Sequence, residues 1–229
     1  MRNRYYIKFS KTGYVKYISH LDLLRLFKRA FKKTGIKLRY SEGFNPHPKL
    51  GFAQPLSLGY SSECELLEFE TVENFKPEAL MKLLSHEMPK GIDIIACDCL
   101  NYDFKSLAGE TEACLYELFI PCDNCEMSDE KAAGLLDGYL AQPEITALKR
   151  MKKTKAYEPV NIKDKIRRLS VQKAGDFLRF TALLDGGSQS NLSPELVISS
   201  FLEYSKLPVE RYDIEVNRKN IMFTNGLQF

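Results

Sequence analysis

Two histidines in the N-terminal part of the chain, His20 and His47, are the residues whose chemistry could make this protein a catalyst. An imidazole gains and loses a proton near neutral pH, so one histidine could take a proton from a ribose hydroxyl while the other, or Tyr40, protonates the leaving oxygen. Lys49 would stabilise the charge that develops on the phosphorane. One hypothesis is therefore a metal-independent endoribonuclease. A capping or core role for His20 is the alternative.

The cysteines are the second set of residues with a chemistry of their own. The chain has six Cys and starts with a strand-like segment rather than a secretion signal, so we do not expect a disulfide framework. Two close pairs, Cys97 with Cys99 and Cys122 with Cys125, could supply four thiolates to a zinc ion. Neither pair has the glycine that is usual in zinc knuckles, and the first pair ends an apolar strand. We therefore expect ordinary thiols and no cofactor, with these four cysteines as the alternative metal set.

A loop rich in proline and glycine, within residues 38–58, carries side chains suited to ligand contact. Its prolines and Gly43 restrict the backbone, and loops held stiffly on a scaffold often carry function. Between residues 42 and 49 the loop displays one aromatic ring, one amide, one imidazole and one cation, on Phe44, Asn45, His47 and Lys49. The alternative is a structural crossover that packs Phe44 and Phe52 into the core.

The elements before this loop must hold it in place. Alternation over residues 5–9 predicts a strand, and Ser19 followed by Asp22 predicts the start of a helix that ends near Gly35. The core-facing stripe of this helix is Leu23, Leu24, Phe27, Ala30 and Phe31. Its opposite face is basic and carries Arg25, Lys28, Arg29, Lys32 and Lys33.

The remaining pattern predicts an α+β protein of two tandem ferredoxin-like units. Three further strands and a second helix complete the order βαββαβ within residues 1–100, with the helices on one face of an antiparallel sheet. Residues 101–112 are polar and predict a linker. We expect the same order again in residues 113–229, interrupted by a basic insertion at 149–168 that predicts a flexible arm.

Charge is distributed unevenly along the chain, although the net charge is only +3. Residues 1–55 hold 13 Lys and Arg against two acids, residues 56–146 hold five against 19, and residues 147–168 hold nine against two. A basic face with interleaved rings suits single-stranded nucleic acid, because cations meet phosphates and rings stack on bases. Alternatively, the acidic block folds against the basic blocks and neutralises them. No apolar run is long enough to cross a membrane, so we expect a cytoplasmic protein without a membrane partner.

Two motifs give the chain a family resemblance: Ser-His-Leu-Asp at 19–22 and Glu-Gly-Phe-Asn-Pro-His-Pro-Lys at 42–49. With them, residues 1–100 resemble the radical-SAM-linked protein family. That family is a domain of unknown function, found alone or joined to the end of a cobalamin-binding radical SAM enzyme, and often encoded near ribonuclease E/G. The resemblance implies such an enzyme as partner. The chain has no C-x-x-x-C-x-x-C motif for an iron–sulfur cluster, so we do not expect it to be a radical SAM enzyme itself.

These observations favour a non-catalytic protein that holds a substrate, expected to be RNA, for a radical SAM partner. The cations that we predict to contact phosphates are Arg25, Arg29, Lys32, Arg39, Lys49, Lys152, Lys153 and Lys155. Tyr40 and Phe44 would stack on bases, Asn45 could read a base edge, and His47 completes the binding set. A third hypothesis is a protein-interaction scaffold, in which the acidic segment docks the radical SAM enzyme and the 42–49 loop grips a protein or a small molecule.

Overall fold

The structure, a computed structural model, describes residues 3–101, 104–122, 127–151 and 153–229. Within these ranges the predicted α+β class is confirmed, with five α-helices and mostly antiparallel strands. The chain divides into two compact units, one of Met1–Thr111 with Asn220–Phe229 and one of Glu112–Lys219. No helix in the described part of the chain is both long and apolar enough to cross a membrane.

The first unit contains the elements that the N-terminal sequence predicts, in the predicted order. They are β1 (Arg4–Lys11), α1 (His20–Lys33), β2 (Leu50–Phe52), β3 (Ser61–Glu70), α2 (Pro77–Ser85) and β4 (Ile94–Cys99), followed by a short helix, α3 (Leu107–Glu110). Strand β1 pairs with β4 on one side and with β3 on the other, and all three pairings, including β2 with β3, are antiparallel. Ile7 of β1 and Phe52 of β2 both lie opposite Leu67 of β3. The strand order is therefore β4-β1-β3-β2.

One apolar core holds α1 and α2 against this sheet. Tyr5, Ile7 and Phe9 of β1 are buried in a cluster with Leu67 and Phe69 of β3. The helices contribute Leu23, Phe27, Ala30, Phe31, Leu80 and Leu84 to the same cluster. Residues two apart on a strand share a face, so both helices cover one face of the sheet. Each large apolar side chain buried in this way favours folding by about 1.5–3 kcal/mol.

Helix α1 begins and ends where the sequence predicts. The Ser19 hydroxyl accepts a hydrogen bond from the Asp22 N–H at 3.1 Å, which satisfies one of the free amides at the start of the helix. The same hydroxyl donates to the Asp22 carboxylate at 2.7 Å, so the predicted Ser19–Asp22 pair forms. At the other end Gly35 adopts a left-handed backbone with φ +74°, which lets the chain leave the helix without a Cβ clash.

The second unit has a similar order of elements with a hairpin inserted. Its elements are β5 (Thr111–Pro121), α4 (Asp129–Ala141), β6 (Thr146–Arg150), β7 (Tyr157–Asn161), β8 (Ile166–Ala174), β9 (Phe177–Asp185), α5 (Pro194–Ser205) and β10 (Glu215–Phe223), whose last four residues belong to the first unit. The strand order is β10-β5-β9-β8, and β6 pairs with β7 in a separate hairpin. Rings of Tyr139, Phe180 and Phe201 pack edge to face in the core.

The predicted linker at 101–112 contains helical structure in its described part. Helix α3 buries Leu107 completely, and the Leu107 N–H donates to Glu68 Oε1 at 3.0 Å. The Arg4 guanidinium donates to the Phe104 carbonyl at 2.7 Å. These contacts attach the segment to the first unit.

The basic insertion at 149–168 is not the flexible arm that its charge indicates. Its first half completes the β6–β7 hairpin, in which Lys149 lies opposite Glu158 in the strand register. The base of the hairpin is anchored by buried Ile145 and Ile162. A 2.8 Å hydrogen bond from the Ile162 N–H to the Ile145 carbonyl joins these two residues. The prediction was wrong because two buried apolar residues, Ile145 before the charge run and Ile162 within it, fix its structure.

Candidate functional site

The exposed face of α1 presents cations that neighbouring carboxylates do not neutralise. Three of them are Lys28, Arg29 and Lys32. Among the residues that the structure describes, no ion pair involves these three. Two others are paired: Arg25 with Asp22 at 2.9 Å and Lys33 with Glu87 at 2.9 Å. Cations without a protein partner leave their field available to an anion from solution.

These three cations line a pocket of about 840 Å³ beside the C-terminal half of α1. The polar side chains of the pocket are Lys28, Arg29, Lys32, Lys37 and Tyr40, and its apolar side chains are Phe31, Ile36, Leu38, Pro48 and Val72. We call this site the basic pocket. It brings together three predicted binding residues, Arg29, Lys32 and Tyr40, and adds Lys28 and Lys37. Its volume lies in the range of pockets that hold small ligands or parts of larger ones.

Pairing with β3 holds the segment that carries Tyr40. The Arg39 N–H donates to the Glu70 carbonyl at 2.8 Å, and the Arg39 carbonyl accepts from the Lys49 N–H at 2.8 Å. Tyr40 itself forms a β-bridge with Pro48. The exposed Tyr40 ring therefore stands on a backbone fixed by the sheet rather than on a free loop.

Hydrogen bonds across its base close the 42–49 loop. The Ser41 N–H donates to the His47 carbonyl at 2.8 Å, and the His47 N–H donates to the Ser41 hydroxyl at 3.1 Å. The His47 Nδ1 lies 2.9 Å from the same hydroxyl. Phe44 is fully exposed, with a relative exposure of 111%, whereas Phe52 is buried. The alternative that packs both rings into the core is therefore wrong for Phe44.

Several predicted binding residues of the first unit lie outside the basic pocket. Lys49 is paired with Glu70 through an Nζ–Oε2 contact of 3.1 Å, so part of its charge is already neutralised. Arg39 is exposed just before the loop, and Asn45 is exposed within it. These residues remain accessible to a ligand that extends beyond the pocket.

In the second unit, the predicted cations lie at the turn of the β6–β7 hairpin. Lys153 and Lys155 are exposed there, and Lys155 has a left-handed backbone with φ 60°. Lys152 lies outside the described residues. The turn thus presents at least two cations to solvent.

His20 lies in a different environment from His47. Its half-buried ring meets the Phe52 ring edge-on, with centroids 5.1 Å apart. The pKa of His20 is lowered, mainly because burial disfavours the charged imidazolium. Nearby Lys11 lowers this pKa further, and nearby Glu65 partly opposes the shift. In the described parts of the chain, no hydrogen bond joins the two imidazoles. Acid–base chemistry by this pair therefore stays a prediction.

Two buried charges near His20, Lys11 and Glu65, were missed by the sequence reasoning. For Glu65 a signal exists, because it continues the buried alternation of Leu67 and Phe69 along β3. The same count along β1 places Lys11 on the buried face of Tyr5, Ile7 and Phe9, although the pairing register of β1 with β3 shifts between Phe9 and Lys11.

The cysteines of β4, Cys97 and Cys99, are partly buried and free. Burial raises the pKa of Cys97 to about 12, so this thiol stays protonated at neutral pH. Within the described residues, no group of three or more His, Cys, Asp or Glu side chains could hold a metal ion. Cys122 is buried, and Cys125 lies outside the described residues. The four-thiolate zinc set therefore stays a prediction.

Comparison with known proteins places the chain in a family. No curated protein matches it. The family model DUF2344, described as an uncharacterized protein conserved in bacteria, matches residues 4–194, which include the whole basic pocket and the 42–49 loop. That description does not mention radical SAM enzymes, so this part of the resemblance stays a prediction. The chain belongs to the DUF2344 family.

Proposed function

We propose that this protein is a non-catalytic accessory protein that binds RNA through the basic pocket. The observation that carries the proposal is the pocket itself, which four cations and the Tyr40 ring line together with apolar side chains. Phosphates require cations, and unstacked bases require an aromatic or apolar surface. A pocket that offers both suits a nucleotide unit of a single strand better than it suits a simple anion.

The chemistry of the cations fits this reading. Arg29 can bind a phosphate through two parallel hydrogen bonds, and the neighbouring lysines act as point charges. Tyr40 is exposed and held by its bridge to Pro48, so stacking a base on it costs little ordering of the protein. Lys153 and Lys155 of the hairpin are proposed as further phosphate contacts, because they carry exposed charge and lie at a turn.

We further propose that the protein presents RNA to a radical SAM enzyme, one that binds cobalamin. This part rests on the resemblance carried by the motifs at 19–22 and 42–49. Both motifs lie in the unit that contains the basic pocket, and the second includes Pro48, which lines it. A location in the cytoplasm, without a membrane partner, belongs to the same proposal.

The two units are proposed to be tandem ferredoxin-like folds. Support comes from the two strand orders, β4-β1-β3-β2 and β10-β5-β9-β8, which agree when the β6–β7 hairpin is treated as an insertion. In each, the first strand lies between the fourth and the third. A fold of this kind hosts many functions, so it does not by itself favour RNA.

Fluorescence anisotropy of a labelled single-stranded RNA at low salt tests the RNA proposal. We expect Arg29→Glu to weaken binding about tenfold or more, because it replaces attraction to phosphate by repulsion. Tyr40→Ala should weaken it about fivefold or more through lost stacking, and Tyr40→Phe should retain most of the affinity. The matched control is Lys76→Glu, which reverses an exposed charge of the same unit outside the pocket.

The outcomes of this experiment separate the hypotheses. Absence of binding at low salt, or equal losses in Arg29→Glu and Lys76→Glu, would overturn the RNA proposal and leave the scaffold hypothesis. The bound RNA should also stay intact on a denaturing gel. Cleavage that disappears in His47→Ala would show instead that the protein is an endoribonuclease.

A further inference from the structure

A second group of exposed rings lies at the opposite end of α1 from the basic pocket. Tyr14 and Tyr17 belong to the 3-10 turn Gly13–Tyr17 and are 94% and 61% exposed. Side chains three residues apart in a 3-10 helix lie above one another, so both rings point to the same side. Leu21, in the first turn of α1, is exposed as well. A core does not need these side chains, and two accessible rings can stack on bases.

The exposed side chains of α1 connect these rings to the basic pocket. One face of α1 carries exposed side chains at spacings of three or four residues. They are Leu21, Arg25, Lys28 or Arg29, and Lys32. The 14 residues of α1 span about 21 Å. One row of cations thus runs between the turn and the pocket. We call this row, with the rings at its two ends, the α1 track.

Two contacts support a nucleic-acid role for the far end of the track. The Lys16 Nζ lies 5.3 Å from the centroid of the Tyr17 ring, so a cation accompanies the ring as it does in surfaces that bind single strands. Among the residues that the structure describes, Arg25, midway along the track, is paired only with exposed Asp22. An exposed pair of this kind is weak, so Arg25 can turn to a phosphate at little cost.

We propose that the α1 track binds one continuous single strand of RNA, from Tyr40 in the basic pocket to Tyr14 and Tyr17. This inference rests on the proposed function and deepens it, because it names the form and the length of the ligand. A duplex keeps its base faces stacked inside, so it cannot use the rings at either end. At a rise of about 3.4 Å per nucleotide, the helix length corresponds to about six nucleotides, or fewer when the strand is extended.

The absence of tryptophan from the sequence gives a direct test. Tyr17→Trp and Tyr40→Trp each create a single tryptophan at one end of the track, and Tyr212→Trp creates one at an exposed position of the second unit. A single-stranded RNA of about eight nucleotides should quench the first two tryptophans with the same midpoint and one RNA per protein. The Tyr212→Trp signal should not change, and a duplex of the same sequence should quench neither end.

Affinity measurements complete the test. For the RNA of about eight nucleotides, Tyr14→Ala with Tyr17→Ala should weaken binding about fivefold or more, as expected for lost stacking. If Tyr40→Trp responds while Tyr17→Trp stays silent, the track is overturned but the pocket proposal stands, and the exposed rings become a protein-docking surface. If neither tryptophan responds and anisotropy shows no binding, the proposed function itself fails.

Discussion

Lys11 is a buried cation, and the residue is only 1% exposed to solvent. Its Nζ donates to the carbonyls of Lys16 and Ile18 at 3.2 and 3.3 Å, at the end of the turn Gly13–Tyr17. Carbonyls at the end of a short helix lack partners within the helix, and a cation stabilises them through charge as well as hydrogen bonds. Lys11 therefore fixes the turn that carries the rings of the α1 track.

We predict that Lys11→Met destabilises the protein by about 1.5–3 kcal/mol, the usual worth of hydrogen bonds to a charged group. Methionine keeps the apolar stem but removes the donors, which leaves two carbonyls without the Lys11 ammonium. The melting temperature should fall by about 3–12 °C for a chain of this size. The matched control is Lys90→Met at an exposed position, where the change should stay within about 0.5 kcal/mol. Equal melting temperatures for the two variants would contradict this role.

At the scale of elements, α1 connects the core to the binding surface. Its apolar face contributes Leu23, Phe27, Ala30 and Phe31 to the core, while its basic face forms one wall of the basic pocket. The position of every cation on that face therefore depends on where the helix begins. Ser19 determines that start, because its hydroxyl accepts the Asp22 N–H.

Ser19→Ala should cost about 1 kcal/mol of the free energy of unfolding, as removal of an N-cap hydroxyl usually does. Urea denaturation measures the loss, and hydrogen exchange should show faster exchange of the first-turn amides of α1. Ser57→Ala serves as the control, because Ser57 is exposed in a loop of the same unit. A loss in Ser57→Ala as large as that in Ser19→Ala would show that the cap is not the cause.

Local pattern was sufficient to predict α1 and the 42–49 loop. The apolar stripe, the Ser19 cap and Gly35 are all encoded within a few residues of the elements that they define. The position of Lys37 in the basic pocket was not predictable in this way. It depends on the backbone hydrogen bond from the Arg39 N–H to the Glu70 carbonyl, which joins two residues far apart in the chain.

The hairpin escaped prediction for a related reason. A charge run such as 149–168 indicates an exposed segment, and the apolar anchors Ile145 and Ile162 lie near its ends. The local charge pattern does not include the contacts of Ile145 and Ile162 that order this segment. Sequence reasoning therefore singled out helix α1 and Tyr40, while the pocket that brings them together required long-range contacts.

At the scale of the whole molecule, the net charge of +3 hides a strongly basic N-terminal segment. Part of that charge is neutralised internally, as the pairs of Arg4 with Glu68 and Lys49 with Glu70 show. The cations of the basic pocket belong to the part that remains available, so they should contribute strongly to the response of RNA binding to salt.

We predict that log K for single-stranded RNA falls with log salt at a slope of about −3 or steeper, since the four cations of the basic pocket contribute about −0.7 each and every further phosphate contact adds to them. Lys32→Ala should reduce the magnitude of the slope by about 0.7. The double variant Lys153→Ala with Lys155→Ala should reduce it by about 0.7 per contact that the hairpin makes. An unchanged slope in that variant would confine binding to the first unit, and a slope near zero in the wild type would contradict phosphate binding altogether.

The last residues of the chain belong to the first unit. Phe229 packs edge-on against Tyr6 at 5.0 Å and against Phe223 at 4.9 Å, and its carbonyl accepts a hydrogen bond from Lys8 Nζ at 3.1 Å. A ribosome makes residues 1–111 before the second unit and residues 220–229 after it. Domains usually fold in the order of their synthesis, but here the first unit cannot complete its packing until the second unit and residues 220–229 have been synthesised. The nascent chain should thus complete the packing of its first unit only after residues 220–229 have left the ribosome.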